Sequence, residues 1–256
     1  MSKIIDVTTY NGEQSIFEIR YNVLKDFVDE FRVIEFDQTF SGKPKQPLFT
    51  QNWPKVKSYY VTQVIWSKYE EQAKASPNTQ YGKGAEHWVR EFCMKESIKD
   101  CLTDLKDTDQ VFIGDCDEVY ENVLYYKRPE KLKLRVYSYY LNNRSNEQFW
   151  GTLLAEYKDI KNTCLNHLRA LAPKSEQEVG WHFTSMGGYE NVKKKLTDSY
   201  TEDSYASKPV IDNLEKNIDN NKDFLGRDFE YKLEESQWPE YLRGNKDKYK
   251  HLLKSE

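Results

Sequence analysis

The run VFIGDCDEVY, residues 111–120, places three carboxylates directly after an apolar stretch. Asp115, Asp117 and Glu118 fall within four positions, so their charges repel one another unless a cation lies between them. In an extended or turning chain, residues two apart can both point at one ligand. Two oxygen ligands from one short loop suit Mg2+ or Mn2+, which usually also bind oxygens of a substrate's phosphates. The motif therefore predicts a cation that bridges an Asp-x-Asp loop and a diphosphate and acts as a Lewis acid.

The same motif fits two other interpretations. An Asp-x-Asp can be an exposed acidic turn that binds nothing. Haloacid-dehalogenase phosphatases also have an apolar strand that ends in Asp-x-Asp, followed two residues later by Thr or Val, which Val119 satisfies. In that chemistry Asp115 would be the nucleophile and Mg2+ would still be required. That family usually has its motif near the N-terminus and a second acidic pair later, and this chain has neither, so the phosphatase is the second choice.

The segments around the motif predict an α/β fold. Their order over the first half is strand, helix, strand, strand, helix, strand, which is typical of an α/β layer with a largely parallel sheet. Ligands of such sheets bind at the carboxyl ends of the strands, where the acidic motif lies. Ser15 and Glu18 in SIFE have the spacing of a capping box for the first helix. The predicted strands are 3–10, 31–37, 56–66, 110–115 and 131–142, and the second helix is 86–105.

Composition and charge exclude some classes of protein. The net charge is -4 and the pI is about 5.8, so the chain as a whole lacks the positive charge expected of a protein that binds along a nucleic-acid backbone. The run Lys193–Lys195 is interpreted as a solvated helix face. The four cysteines form no CxxC pair, which indicates reduced thiols. The N-terminus lacks an apolar signal region and no membrane span follows, so a soluble cytoplasmic protein is expected.

Three segments resemble, in the same order, three blocks of glycosyltransferase family 17. They are EIRYNVLKDFVDEFRVIEFDQTFSGKPK (18–45), VFIGDCDEVY (111–120) and GWHFTSMGGYENVKKKL (180–196). This is the family of the β-1,4-mannosyl-glycoprotein β-1,4-N-acetylglucosaminyltransferases, and the chain resembles its microbial and viral members. The combination of Glu-Ile-Arg, Thr-x-x-Gly-Lys-Pro, Asp-x-Asp-Glu and Gly-Trp-His-Phe is more specific than Asp-x-Asp alone.

The resemblance implies a single GT-A-type domain at 1–245 and a charged tail at 246–256. The domain would have a mostly parallel central sheet flanked by helices. The implied activity is the inverting transfer of a GlcNAc-like sugar from a nucleotide-sugar donor, a UDP-sugar first of all, to a hydroxyl of a glycan or other acceptor. A carboxylate would take the hydroxyl proton, and Mn2+ or Mg2+ would stabilise the departing diphosphate.

The resemblance also implies roles for individual residues. The implied metal ligands are Asp115, Asp117 and His182. The candidates for the catalytic base are Glu118, Glu190 and Glu202, and Glu190 follows a glycine turn that lets an acceptor approach the backbone. The implied donor contacts are Asp6, Glu18, Arg20, Glu35, Lys43 and Asp115.

Each of these assignments has a structural alternative. His182 can be a packed core residue, Glu18 only a helix cap, Arg20 only a surface ion pair, and Lys43 a solvated turn residue. Two further functions stay open as well. One is a sugar- or nucleotide-binding protein without turnover. The other is a transferase that acts on modified bases of viral DNA. The net negative charge of the chain disfavours DNA binding, and a DNA gel-shift assay at several salt concentrations would test it.

Overall fold

The computed structural model describes residues 2–76, 86–121, 129–199 and 206–255. Within these ranges, nine strands form one sheet and helices cover both of its faces. The strands are β1 Ile4–Thr9, β2 Glu30–Phe36, β3 Val56–Val61, β4 Gln110–Asp115, β5 Glu118–Tyr120, β6 Glu130–Ser138, β7 Asn143–Glu156, β8 Lys174–Thr184 and β9 Tyr231–Leu233. The helices are α1 Gln14–Leu24, α2 Gln63–Trp66, α3 Glu70–Lys74, α4 Glu86–Ser97, α5 Tyr157–Lys161, α6 Leu165–Leu171, α7 Gly188–Ser199, α8 Lys208–Asp219 and α9 Glu240–Gly244.

The sheet has a parallel half and a mixed half. Its order is β3-β2-β1-β4-β7-β6-β8-β5, and β9 pairs with β7. Strands β3, β2, β1 and β4 are parallel, so their carboxyl ends meet at one edge. In the second half β6 and β8 are parallel, whereas β4–β7, β6–β7, β5–β8 and β7–β9 are antiparallel. The predicted α/β class is confirmed, and the parallel arrangement holds for the first half of the sheet.

Apolar side chains alternate between two cores, one on each face of the parallel strands. Ile5 and Val7 of β1 pack with Phe92 of α4 on one face. On the other face, Val33 of β2 packs with Phe17 of α1. Strands β1, β2 and β4 are therefore buried on both sides, which explains their nearly continuous apolar sequences, whereas β3 at the end of the sheet is largely exposed.

Two local predictions differ from the structure. The strand predicted over 56–66 ends at Val61, because the Asp37 carboxylate accepts the N–H of Gln63 at 2.9 Å and the chain turns into α2. Helix α1 begins at Gln14, one residue before the predicted cap Ser15, and has no side-chain cap. Glu18 does not complete a capping box and instead forms an ion pair with Lys248.

The C-terminal segment packs against the domain. Residues Lys246–Leu252, expected to form a charged tail, are a 3-10 helix in which Tyr249 and Leu252 are buried. The N–H of Leu141 donates to the carbonyl oxygen of Leu252 at 2.9 Å. Among the helices in the described ranges, none combines the length and apolar character that crossing a membrane requires.

Candidate active site

The acidic motif lies at the carboxyl edge of the parallel strands. Asp115 is the last residue of β4 and is paired in register with Thr9, the last residue of β1. The chain turns at residues 116–117 and enters β5 at Glu118. Because β5 is antiparallel to β8, Glu118 lies opposite His182. The fold therefore brings the second and third blocks of the sequence resemblance together at this edge.

A buried ion pair supports this turn. Arg20 of α1 donates to both carboxylate oxygens of Asp6, at 2.9 and 2.6 Å, and neither side chain is exposed. Arg20 also donates to the backbone carbonyl oxygens of Asp115 and Glu118, at 3.0 and 2.6 Å, and the Tyr120 hydroxyl donates to Asp6 at 2.9 Å. Arg20 and Asp6 thus fix the two ends of the turn. Both residues were predicted as donor contacts, and in this structure both side chains are fully buried and hold the turn.

The Asp117 carboxylate faces a different positive group with each oxygen. Oδ1 lies 3.6 Å from His182 Nε2, and Oδ2 lies 3.4 Å from Lys195 Nζ. The Asp117 and His182 side chains are each 14% exposed. Burial alone would raise the pKa of Asp117, but the charges of Lys195 and His182 outweigh burial and hold it well below its ordinary value. Asp117 is therefore a firmly ionised carboxylate at the edge of the sheet.

His182 is held by packing on one side and by charge on the other. Its ring stacks on Phe149 with a centroid distance of 4.0 Å and an interplanar angle of 21°. Burial lowers the pKa of His182, but the Asp117 carboxylate outweighs burial and raises it above the ordinary value. Nδ1 is buried, and within the described residues it has no hydrogen-bond partner. Nε2 is the ring nitrogen that faces the carboxylate.

Asp115 has partners of its own. Its Oδ1 accepts the Thr9 hydroxyl at 3.2 Å, its Oδ2 lies 3.9 Å from Lys95 Nζ, and its side chain is 41% exposed. Burial would raise the pKa of Asp115, but the charges of Lys95 and Arg169 lower it below the ordinary value. The protein itself therefore supplies much of the positive charge that the acidic motif requires, from Lys95, Arg169, Lys195 and His182.

Glu118 is enclosed beneath the sheet edge. The Thr152 hydroxyl donates to its carboxylate at 3.1 Å, and the residue is 2% exposed. A Cβ atom added to Gly114 or Gly151 would lie 2.6 Å from the Glu118 carboxyl group, so the two glycines make room for it. Burial, and then the charge of Asp115, raise the pKa of Glu118. Glu118, predicted as a catalytic base, is thus buried and lines neither cavity described below.

Asp117 and His182 form a donor set that suits a divalent cation. One carboxylate oxygen and one imidazole nitrogen face each other, and Lys195 contacts the other oxygen, so it leaves Oδ1 available. Magnesium and manganese sites commonly use one or two carboxylates and fill their remaining positions with water and substrate phosphates. No group of three His, Cys, Asp or Glu side chains arranged for a metal occurs in the described part of the chain. Asp117 and, in its neutral form, His182 can therefore supply two of the positions around a cation, and water and a phosphorylated ligand would supply the others.

Two cavities flank this cluster. The first, of about 310 Å³, is lined by the loop 11–13 and the first turn of α1, by Asp117, and by Asn191, Lys194 and Lys195 of α7. The second, of about 230 Å³, is lined on its side of the cluster by His182 and Lys195. Lys195 and Ser185 belong to the walls of both cavities. The Asp117–His182–Lys195 cluster therefore lies at the boundary between two binding spaces.

The remaining predicted donor contacts lie away from the cavity walls. The Glu35 carboxylate is buried and accepts the N–H groups of Leu48 and Phe49, at 2.8 and 2.9 Å, so it shapes the loop after β2. Glu18 is paired with Lys248, as described above. Lys43 Nζ donates to the carbonyl oxygen of Thr197 at 3.1 Å, which ties this loop to α7. These residues organise the surroundings of the site rather than its walls.

Two of the predicted base candidates remain. Glu190 is exposed on the first turn of α7, next to Asn191 in the first cavity wall, but is not itself part of that wall. Glu202 lies outside the described residues.

The structure adds site residues that sequence reasoning missed. Lys195 was grouped with a solvated lysine run, yet it contacts Asp117. Its neighbours Val192 and Leu196 are buried and mark the inner face of α7, so helical spacing could have separated Lys195 from the rest of the run. Glu13 and Asn191 line the first cavity, and no local sequence signal distinguishes them.

Solved structures resemble this chain only distantly. The galactosyltransferase LgtC, in complex with donor and acceptor sugar analogs, is 9% identical with a TM-score of 0.33; the match covers 64% of this chain and 61% of LgtC. Mouse xyloside xylosyltransferase 1, in its apo form, is 10% identical with a TM-score of 0.35 and coverages of 66% and 71%. A structure described as a mutant transferase is 10% identical with a TM-score of 0.32 and coverages of 92% and 93%.

Sequence comparison gives a more extensive match. No curated protein matches the chain. The sequence profile of Glycosyltransferase family 17 matches residues 1–197, which include the acidic motif, His182 and Lys195.

Proposed function

Because this chain belongs to glycosyltransferase family 17, we propose that it transfers a sugar from a nucleotide-sugar donor to an acceptor hydroxyl with a divalent cation held by Asp117 and His182. The family assignment makes the chain a glycosyltransferase. The observation that supports the proposed mechanism is the Asp117 carboxylate, which faces His182 and Lys195 at the boundary between two cavities. A transferase needs such a boundary because two substrates must meet there.

The first cavity has the chemistry of a diphosphate site. Lys194 and Lys195 contribute positive charge to its wall. The start of α1 also lines it, and the unpaired N–H groups at a helix N-terminus favour an anion. Its volume of about 310 Å³ lies at the lower end of the range of roughly 300–1,000 Å³ for small-molecule sites. We therefore assign this cavity to the nucleoside diphosphate part of the donor, a UDP-sugar by the resemblance.

The reaction is a direct displacement. The acceptor oxygen forms a bond to the anomeric carbon while the bond from that carbon to the diphosphate oxygen breaks. The nucleoside diphosphate leaves with the electron pair, and the configuration at the anomeric carbon is inverted. The hydroxyl proton passes to a carboxylate. Of the two described candidates, Glu118 is enclosed and Glu190 is exposed beside the first cavity, on the side of the leaving group, so neither is assigned as the base.

The residues of the site have separate tasks in this step. Lys195 binds the diphosphate and stabilises the negative charge that develops on it as the bond breaks. Asp117 and His182 would hold Mn2+ or Mg2+, which supplies Lewis-acid stabilisation of the same leaving group. Arg20 and Asp6 keep the turn in place, so Asp117 does not need to reorganise when the donor binds. The transferred sugar is GlcNAc-like by the resemblance.

The phosphatase alternative requires Asp115 to attack a substrate phosphorus. Asp115 is in neither cavity wall, and its two oxygens face Thr9 and Lys95. The family match and this position both favour the transferase.

A thermal-shift titration tests the proposal. Ligand that binds only the folded protein at about 100 times its Kd adds about 2.7 kcal/mol of stability. We expect UDP with Mn2+ to raise the Tm of the wild type, UDP with EDTA to raise it less, and Asp117→Asn to lose the manganese-dependent part. Asp212→Asn, in an exposed ion pair on α8, is the matched control. The proposed cation site would be contradicted if UDP raised the Tm equally with Mn2+ and with EDTA. It would also be contradicted if the manganese-dependent rise in Tm were the same in Asp117→Asn and Asp212→Asn.

A further inference from the structure

The second cavity adjoins the proposed diphosphate site at the cluster, and the two share Ser185 and Lys195 in their walls. Asp117 lines only the first cavity and His182 only the second, although their facing atoms are 3.6 Å apart. In an inverting displacement the attacking oxygen approaches from the side opposite the leaving group. With the diphosphate in the first cavity, the second is the adjoining described space from which a hydroxyl can reach the donor.

The walls of the second cavity differ in chemistry from those of the first. Aromatic rings of Trp88, Phe149 and Phe224 line it, and each of these residues is partly exposed. Paired lysines, which mark the first cavity, are absent from this wall as far as the described residues define it. Aromatic faces bind the C–H face of a sugar ring through apolar contact. This wall therefore suits a neutral ring rather than a phosphate.

Polar groups in the same wall are held in fixed positions. Asp223 is buried and accepts from Arg227 Nε and Nη2, at 2.9 and 2.7 Å. Arg227 Nη1 also donates to Glu147 at 3.3 Å, and the Glu147 side chain is 21% exposed. A guanidinium and a carboxylate fixed side by side offer donors and acceptors to neighbouring hydroxyl groups. Arg227 and Glu147 can thus orient a ring that rests on the aromatic wall.

The size of the cavity limits its occupant. Its volume of about 230 Å³ is below the roughly 300–1,000 Å³ of drug-sized ligand sites. It is smaller than the first cavity, so it fits a single ring better than a nucleotide or a peptide.

We propose that the second cavity is an acceptor subsite that binds one sugar ring, stacked against Trp88 and Phe149 and oriented by the Glu147–Arg227 pair. This inference rests on the proposed function for its place in the reaction, and it names the acceptor class as a glycan terminus. The ring presents one hydroxyl to the Asp117–His182–Lys195 boundary.

Direct binding tests the subsite without a donor. Saturation-transfer NMR with a panel of methyl hexosides should detect binding to the wild type. Trp88→Ala and Glu147→Gln should each raise the Kd of the methyl glycoside at least about tenfold, which corresponds to about 1.4 kcal/mol of binding free energy. Trp150→Ala is the matched control, because Trp150 is a partly exposed tryptophan outside both cavity walls. Equal binding by all variants, or no binding of any hexoside to the wild type, would overturn the proposal.

A partition assay then tests the place of the subsite in the reaction. With a UDP-sugar that the wild type hydrolyses, addition of the bound hexoside should divert turnover from hydrolysis to transfer. The ratio of transfer to hydrolysis should fall at least about tenfold in Trp88→Ala and Glu147→Gln and stay unchanged in Trp150→Ala. Glycerol, a hydroxyl acceptor without a ring, should not divert turnover. An unchanged ratio in the cavity variants, or equal use of glycerol, would contradict the acceptor assignment.

The two assays separate two kinds of failure. If hexosides bind the wild type with the expected dependence on Trp88 but no nucleotide sugar is hydrolysed or transferred, the proposed function fails while the sugar subsite stands. If UDP-sugar is hydrolysed and no hexoside binds, the subsite fails while the proposed donor site stands.

Discussion

Arg20 and Asp6 form a buried, two-pronged ion pair that also holds both ends of the turn carrying Asp117. Arg20 makes this contact across 98 positions of sequence to reach the carbonyl oxygen of Glu118. The buried guanidinium group of Arg20 thus holds the loop that carries Asp117 from the side of the protein interior. This arrangement separates the residues that shape the site from those that can act in it.

Arg20→Met should destabilise the folded protein strongly. The substitution leaves the Asp6 carboxylate buried without its partner, and removing one member of a buried pair typically costs about 3–5 kcal/mol. The free energy of unfolding in urea measures this loss. Arg243→Met, at an exposed position of α9, should change it by less than about 0.5 kcal/mol. A similar small effect from both variants would show that the ion pair does not support the turn.

Lys195→Met should weaken UDP binding about tenfold, because it removes a positive charge shared by Asp117 and the proposed diphosphate site. Isothermal titration calorimetry with UDP measures the change. Lys193→Met is the internal control, since Lys193 stacks over Tyr189 in the same helix and is outside both cavity walls. Losses of equal size in the two variants would indicate a general charge effect and would argue against a specific contact.

Gly180→Ala should destabilise the protein by about 1–3 kcal/mol through overpacking. A Cβ atom at this position would lie 2.3 Å from the backbone oxygen of Val119, where β8 passes β5 behind the acidic turn, and backbone cannot move aside as a side chain can. Gly244→Ala has no atom within 4 Å of its new Cβ and should be neutral or slightly stabilising. Urea unfolding compares the two, and equal stabilities would show that the two strands can separate.

The ion pair between Arg32 and Asp104 predicts a dependence of stability on pH. The hydrogen bond from Arg32 lowers the pKa of Asp104. The pKa of Asp104 is lower in the folded protein than in the unfolded chain. The ion pair therefore contributes its full stability at pH values above the ordinary aspartate pKa. This stability is lost as the pH falls through the pKa of the folded protein. Asp104→Asn should therefore reduce stability at pH 7, and the difference from the wild type should shrink between pH 5 and pH 3.

Chemical denaturation at several pH values tests this prediction. Asp212→Asn, which removes an exposed carboxylate from an i,i+4 pair, is the control for a general charge effect. A difference for Asp104→Asn that stays constant from pH 7 to pH 3 would contradict the assignment.

The sequence predicts the parallel half of the fold well because its signals are local. Strands β1, β2 and β4 are short apolar runs that are buried on both faces, and the acidic motif directly follows the last of them. The long strands β7 and β8 were not predicted. The first half of β7, NRSNEQF, is polar and reads as a loop, and it becomes a strand only because β6 pairs with it.

The site residues also fall into two groups: those that a local sequence motif predicts and those whose role depends on contacts far apart in the sequence. Asp117 and His182 carry motif signals, and the β5–β8 pairing beside them brings their facing atoms to 3.6 Å, while their role as metal ligands stays a prediction. Arg20 was identified as a site residue, but its burial depends on contacts 14 and 98 positions away, which no local pattern contains. The same holds for Glu35, whose carboxylate was expected at the donor and instead binds backbone N–H groups of the following loop.

The family profile ends at residue 197, but the hydrophobic core does not. Trp238, Leu242, Tyr249 and Leu252 belong to the same buried cluster as Phe17 of α1, and Leu252 also closes part of the first cavity. A polypeptide shortened to the profile would therefore expose the apolar surface around α1 and lose one side of the first cavity. The stretch that carries the family match is therefore shorter than the stretch that completes the hydrophobic core and the cavity wall.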